Sequence, residues 1–267
     1  VDVVYVASVH SDHAASARLC LEAGKAVLVE KPMTVTSAEA AALVRLARDR
    51  GLFVMEAVWN RCNPLLRQAA ELVAVGEVGS VRHVEATLGF AFEGEATHRL
   101  LDPAQAGGAI LDLGVYPVHA AALFLGEPAR LTAAGDHAST GVDAHAAALL
   151  TYPATADRPL ATASLACSLS ATLPNRLEVL GTRGALRIDN FVKPTEMTLV
   201  RSGGGDETFI TQLPGAGYTF EAQEVMRCLR AGEIQSPLVP WADTLGCLRT
   251  LDRWRAELNG GVAEGEV

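Results

Sequence analysis

Lysine is scarce in this sequence. It occurs only at Lys25, Lys31 and Lys193, and arginine supplies the rest of the positive charge. The formal net charge is −9 and the pI about 5.3. No basic cluster interrupts that acidity, which argues against nucleic acid or an anionic membrane as a partner. Cysteine is also sparse: Cys20, Cys62, Cys167, Cys228 and Cys247 are odd in number and form no C-x-x-C pair. A disulfide framework and a zinc site are therefore not expected, and a reducing compartment, the cytoplasm, is. No uninterrupted apolar run approaches the ~18 residues of a membrane span, and no signal peptide opens the chain. Finally, no G-x-G-x-x-G follows a strand, so the usual pyrophosphate-binding turn is missing from these 267 residues. Gly203 to Gly205 come late, in a turn, and "GTRGAL" joins two strands without opening a helix.

The remaining composition is that of a globular protein, 49% apolar and 20% charged. The length suits one large or two modest domains, able to bury roughly 70–75% of the unfolded surface. Residues 1–58 alternate strand and helix. "VDVVYVA", "AVLVE" and "LFVME" are apolar on both faces, as in buried parallel strands. Between them lie "SDHAASARLCLEAG", with Ser11 as its expected N-cap, and "TSAEAAALVRLARDRG", capped by Thr36 or Ser37 and closed by Gly51. Short links of this kind imply right-handed crossovers and a parallel sheet. From residue 59 the pattern changes. "NPLLRQAAELVAVG" and "GGAILDLGVYPVHAAALFLG" read as helices and "SVRHVEATLGFAF" as a strand. Strand-like runs follow at 129–138, 143–152, 159–171, 175–181, 184–190 and 196–201, with "RSGGGDET" as a hairpin tip. Two helices, at 219–231 and 240–258, end the pattern. The fold class is α/β: part of a parallel-sheet domain over 1–58, then an α/β domain with an open, mostly antiparallel sheet over 59–267.

In a doubly wound sheet, ligands sit at the carboxyl ends of the strands. That rim carries Ser8 to His10, Glu30 to Pro32, and Glu56 to Trp59. The stretch "VLVEKPMT" thus places one of the few lysines, Lys31, where such sheets keep their chemistry. Asp112, Tyr116 and His119, spaced by four and three, share a helical face, and Pro117 loosens that helix. A phenol is a weak acid near pH 7. An ammonium beside it is expected to lower its pKa, so that Lys31 and Tyr116 together can move a proton on or off a hydroxyl. On spacing alone the plainer reading is favoured: Tyr116 as a core aromatic and Asp112 as a local backbone partner. His10 and His13 form an H-x-x-H with no accompanying carboxylate-histidine cluster, so no metal is expected. Trp59 and Arg61 leave the third strand together, with packing and a surface charge as their plain roles.

Taken together, "EAGKAVLVEKPMT", "EAVWNR", "GGAILDLGVYPVHAA", "EVLGTRGALRIDNFVKP" and "YTFEAQEVMRCLRAGEIQSPLVP" resemble segments of the Gfo/Idh/MocA family, in its sugar and dihydrodiol dehydrogenase branch. The resemblance implies a Rossmann-type domain and hydride transfer between NAD or NADP and a secondary alcohol or hemiacetal carbon of a carbohydrate, polyol or cyclic diol. It implies catalysis by Lys31, with Pro32 in an often cis Lys–Pro bond, and Tyr116 as proton donor and acceptor where some relatives carry histidine. Asp112 is then a substrate-binding or positioning residue, with Lys31, Tyr116 and His119 also on the substrate. Ser8, Val9, His10, His13, Glu30, Lys31, Pro32, Trp59 and Arg61 match stretches that line the cofactor. A homodimer or higher homo-oligomer is expected.

The family begins about 60 residues earlier, with the glycine-rich first βαβ unit. This chain is therefore expected to be a piece of a longer protein and to bind a dinucleotide weakly by itself. Two other readings stay open. One is a nicotinamide-independent lyase or cyclase using the same Lys–Tyr–Asp set. The other is a non-catalytic regulator or scaffold, which would need none of the three.

Overall fold

The computed structural model describes residues 1–156 and 158–260. Strands β1 (Val3–Val6), β2 (Ala26–Glu30) and β3 (Val54–Ala57) form a parallel sheet in that order. Every residue of β2 but Glu30 is buried. This is why "AVLV" is continuously apolar: a parallel strand is covered on both faces. Helices α1 (His13–Glu22) and α2 (Ser37–Arg50) make the crossovers, burying Ala17 and Leu21 from the first and Leu43, Val44 and Ala47 from the second. Burying Leu43 or Val44 contributes about 1.5–3 kcal/mol each.

Helix α2 starts as its sequence suggests. The Thr36 hydroxyl accepts the Glu39 N–H at 3.3 Å and the Glu39 carboxylate accepts the Thr36 N–H at 3.0 Å, a reciprocal cap worth about 1 kcal/mol. Gly51 closes it at φ 63°. Helix α1 does not start as expected. A 3-10 turn, His10–Asp12, precedes it, the Asp12 N–H bonds back to the Val9 carbonyl at 3.0 Å, and the capping position falls on Asp12 rather than Ser11.

After a 3-10 turn at Trp59–Cys62 comes α3 (Pro64–Ala74), capped by the Asn63 side chain on the Leu65 N–H at 2.8 Å. The second sheet contains β4 (Val81–Gly89), β5 (Arg130–His137), β6 (Asp143–Tyr152), β7 (Ala161–Ser168), β8 (Leu173–Gly181), β9 (Gly184–Asp189), β10 (Glu196–Arg201) and β11 (Glu207–Ile210). Its order is β11-β10-β9-β8-β4-β7-β6-β5. All neighbours are antiparallel except β4 and β7.

Helix α4 (Val115–Leu125), entered through a single π-helical turn at Ile110–Gly114, packs on β4 and β7. Helix α6 (Trp241–Leu258) packs on α4, α2 and β5, and so ties the two sheets together. Helix α5 (Thr219–Ala231) lies against the Trp59–Cys62 turn. The apolar stretch Pro103–Leu125 is 23 residues long and apolar enough by composition to cross a membrane, but 83% of its most apolar window is inside the fold. It is the core helix on which the site is built.

Candidate active site

Strand β2 ends at Glu30, and the Lys31–Pro32 peptide that follows is cis. Lys31 therefore leaves the sheet at its carboxyl end and reaches the start of the core helix. Its Nζ donates to the Asp112 carbonyl at 2.7 Å and to Asp112 Oδ1 at 3.2 Å. The same oxygen meets Arg99 Nη1 at 3.0 Å and His10 Nε2 at 3.5 Å. Burial alone would raise the Asp112 pKa. The Lys31 charge, the His10 contact and the Arg99 charge outweigh it and hold the carboxyl well below the usual carboxylate range.

Asp112 sits in the π-helical turn, a distortion common at functional sites. The turn is held from outside the helix. Asp143, the first residue of β6, accepts the Ile110 N–H at 2.5 Å. Gly108, at φ 121°, leaves no room for a Cβ beside that carboxylate. This explains the "GG" ahead of the helix: the backbone must pass close to Asp143 in a conformation open to glycine. Desolvation pushes the Asp143 carboxyl up to about 6, against the hydrogen bond from Ile110.

Tyr116 is the next reactive group along the helix. Lys31 Nζ lies 5.1 Å from its ring centroid. The Trp59 indole N–H donates to the Tyr116 hydroxyl oxygen at 2.9 Å. An indole can only donate, so the phenolic hydrogen must point elsewhere. The expectation of a lowered phenol pKa is corrected here. Burial pushes Tyr116 well up, with Glu30 and Asp112 adding to the rise and the Trp59 hydrogen bond only partly opposing it. The reason is geometric: the Lys31 ammonium is bound to Asp112 and faces the ring rather than the oxygen.

A cavity of about 360 Å³ opens here, lined by Ala7, Ser8, Val9, His10, His13, Glu30, Lys31, Arg99, Asp112, Tyr116 and Tyr218. That size is within the range of small-molecule sites. The carboxyl ends of β1 and β2 form one wall and the core helix the other. His13 stitches the strand-end loops together, with Nδ1 at 2.8 Å from the Pro32 carbonyl and Nε2 at 3.1 Å from that of Ser8. Burial lowers its pKa against these two carbonyls. His10 Nδ1 meets the Ala106 carbonyl at 3.0 Å. Glu30 accepts a short hydrogen bond from the Tyr5 hydroxyl.

Ser8, Val9, His10, His13, Glu30, Lys31, Asp112 and Tyr116 thus meet at one cavity, and Pro32 borders it through its carbonyl. Three residues read from the sequence do not line it. Arg61 is buried elsewhere, with Nη2 on the Leu238 carbonyl at 3.2 Å and on Asp243 at 2.7 Å, because its 3-10 turn packs under the start of α6. Trp59 stands behind Tyr116, stacked on Tyr218 at 4.8 Å, with Lys193 Nζ 5.3 Å from its ring. His119 is fully buried and pairs with Glu56 at 3.1 Å. It lies one turn deeper than Tyr116, about 4.5 Å further along the axis, where the helix has left the cavity for the core. Conversely, Arg99 and Tyr218 line the cavity without having been singled out in the sequence. Both come from irregular segments with no periodicity.

Two family models match the chain: an oxidoreductase family NAD-binding Rossmann fold over residues 1–58, and a GFO/IDH/MocA C-terminal domain over residues 66–187. Trans-1,2-dihydrobenzene-1,2-diol dehydrogenase of Mus musculus is 38% identical over 256 residues, covering 91% of this chain and 73% of that protein. D-xylose 1-dehydrogenase (NADP(+)) of Hypocrea jecorina is 34% identical over 295 residues, covering 100% of this chain and 75% of that protein. Among solved structures, aldose-aldose oxidoreductase from Caulobacter crescentus, complexed with glycerol, superposes with a TM-score of 0.86 at 27% identity, over 98% of this chain and 78% of that one. A 3-ketoreductase from Actinomadura kijaniata in complex with NADP and TDP-benzene has a TM-score of 0.80 at 30% identity, over 97% and 78%.

Proposed function

The chain belongs to the GFO/IDH/MocA family of NAD(P)-dependent oxidoreductases, which act on sugars and diols, and we propose that Lys31, Asp112 and Tyr116 carry the proton-transfer half of its reaction. The observation that carries this reading is their convergence. Lys31 Nζ lies on Asp112 at 2.7 and 3.2 Å, and Lys31, Asp112 and Tyr116 share one cavity at the carboxyl ends of parallel strands.

The cavity fits a nicotinamide and a small polyol in size and in chemistry: carbonyls and imidazoles of the β1 loop on one side, fixed donors on the other. Ser8, Val9, His10, His13, Glu30 and Pro32 would hold the cofactor end. Trp59 and Arg61 would support that wall from behind without lining it. The bound dinucleotide supplies a hydride donor or acceptor at its nicotinamide ring.

The protein's own residues do the rest. Tyr116, neutral and fixed by the Trp59 indole, presents its O–H to a substrate oxygen and donates the proton as a carbonyl is reduced; in the oxidative direction it receives one. The Lys31 ammonium stabilises negative charge growing on that oxygen. Asp112, held as a carboxylate, fixes Lys31 and accepts hydrogen bonds from substrate hydroxyls. Arg99 and Tyr218 flank the entrance.

The division we propose is a dinucleotide-binding part over 1–58 and a substrate-binding and self-association part over 59–267. The outward face of β4, β7, β6 and β5 is rich in small residues, with Ala133, Ala147, Leu149 and Ala166 lining a shallow groove and Leu149 48% exposed. This supports a homodimer or higher homo-oligomer. The five free cysteines support a reducing, cytoplasmic setting.

The test is Lys31→Met in the full-length protein, assayed with NAD(P) against aldoses and trans-diols. Turnover should fall at least ~10²-fold, with the fold unchanged by circular dichroism. Wild-type turnover would remove Lys31 from the mechanism.

A further inference from the structure

Glu56 and His119 lie outside the cavity, and the reaction outlined above uses neither. Yet both are completely buried, and ionisable groups are rarely placed so deep unless paired. Their partners are specific. Glu56 Oε1 accepts the Met33 N–H at 3.0 Å. Met33 is the residue directly after Lys31–Pro32. Glu56 Oε2 meets His119 Nε2 at 3.1 Å. His119 is three residues past Tyr116 on α4. One carboxylate at the end of β3 therefore bridges the loop that carries Lys31 and the helix that carries Asp112 and Tyr116.

We propose that Glu56 and His119 are positioning residues that set the separation of Lys31 from Asp112 and Tyr116. The inference rests on the function proposed above. The bridge is the buried hydrogen-bonded path between these two parts that runs beneath the cavity rather than across it. The direct Lys31–Asp112 contacts hold the side chains; the Glu56 bridge holds the backbones beneath them. Burial opposes charge on both groups. His119 and the Met33 N–H overcome it at Glu56 and hold its pKa down, while Cys247 of α6 and the Glu56 carboxylate overcome it at His119 and raise its pKa. The pair is thus a glutamate–imidazolium contact. Its geometry is more restrictive than a single hydrogen bond, because each carboxylate oxygen faces a different element.

The variants must separate positioning from folding. In Glu56→Gln, the amide oxygen still accepts from Met33 and the amide nitrogen donates to a neutral His119. The bridge survives and kcat should stay close to wild type. In Glu56→Gln/His119→Met both charges are gone, the Met33 bond is kept and the link to α4 is cut. Removing a buried pair together is often neutral for stability, so this variant should fold. Its kcat should fall by about 10²-fold, the scale of an ångström of misplacement in a reacting pair, with the KM for the dinucleotide unchanged. In a Lys31→Met background the same pair of changes should add no further loss, since the residue being positioned is gone.

Should the first pair misfold, Glu56→Leu/His119→Leu, which fills the space with apolar groups, carries the same expectation. Turnover of Glu56→Gln/His119→Met equal to that of Glu56→Gln would overturn the inference, as would an equal fractional loss on top of Lys31→Met. A Lys31→Met enzyme of normal turnover would instead overturn the proposed function itself.

Discussion

At the scale of single residues, the proton donor is the most exposed part of the account to experiment. Tyr116 is raised well above its ordinary pKa by burial, so in the free protein the phenol does not titrate in the neutral range. The pH profile for carbonyl reduction should therefore show no break from this group between about pH 6 and 9, both well below an unperturbed phenol near 10. Tyr116→Phe should lose most of kcat at every pH in that window and keep KM, because only the proton path is cut. A mutant that raised KM alone would make Tyr116 a binding residue. Lys31, Asp112 and Tyr116 were readable from the sequence because each falls in a patterned element: a strand end, and a helix at a spacing of four. Arg99 and Tyr218 were not. Arg99 reaches Asp112 from the loop between β4 and the core helix, and Tyr218 precedes α5, stacked on Trp59. Only the tertiary fold brings such residues to a site. His119 was misplaced for the opposite reason. It shares a helical face with Tyr116, but spacing on a helix says nothing about how far the helix has run into the core.

At the scale of elements, the start of the core helix is the sensitive point. Its turn at Ile110–Gly114 is held by Asp143, a residue 33 positions away in sequence from Ile110. Asp143→Ala should cost about 0.5–2 kcal/mol, the range of a lost helix cap, with kcat reduced because Asp112 lies on the released turn. Asp143→Asn keeps the acceptor and removes the titration. The Asp143 pKa is raised from 3.8 to about 6. The folded state therefore favours the protonated form, and the stability this confers is present below 3.8 and lost as pH rises to about 6. The Asn variant should lack that slope and be as stable as wild type or more so above pH 6; thermal melts across pH 4 to 8 check it. A wild type whose stability rises through this window, relative to the variant, would contradict the assignment. The helices and strands themselves were largely legible, since apolar periodicity and caps such as Thr36 with Glu39 mark them. The π-helical turn was not, because no residue type signals it: it is imposed by Asp143 and by Lys31 pulling on the Asp112 carbonyl.

At the scale of the whole molecule, the site exists because two sheets meet. The parallel sheet brings Lys31 and the β1 loop; the helix lying on the larger sheet brings Asp112 and Tyr116; α6 binds both halves. The parallel sheet with right-handed crossovers and the open, mostly antiparallel second sheet followed from the sequence pattern. The parallel pairing of β4 with β7 within it did not, since strand order depends on contacts remote in sequence. The central claim is hydride transfer to or from a sugar or diol carbon with Tyr116 handling the proton. It is tested most directly by isotope transfer. The full-length enzyme is given NADP(+) or NAD(+) and an aldose or trans-diol bearing deuterium on the reacting carbinol carbon, and the reduced cofactor is analysed by mass spectrometry. The account predicts that the deuterium moves to the nicotinamide ring, with transfer abolished in Tyr116→Phe. Substrate turned over with no deuterium in the cofactor and with loss of water or of label to solvent would contradict it, and would point to proton-transfer chemistry alone at the same three residues.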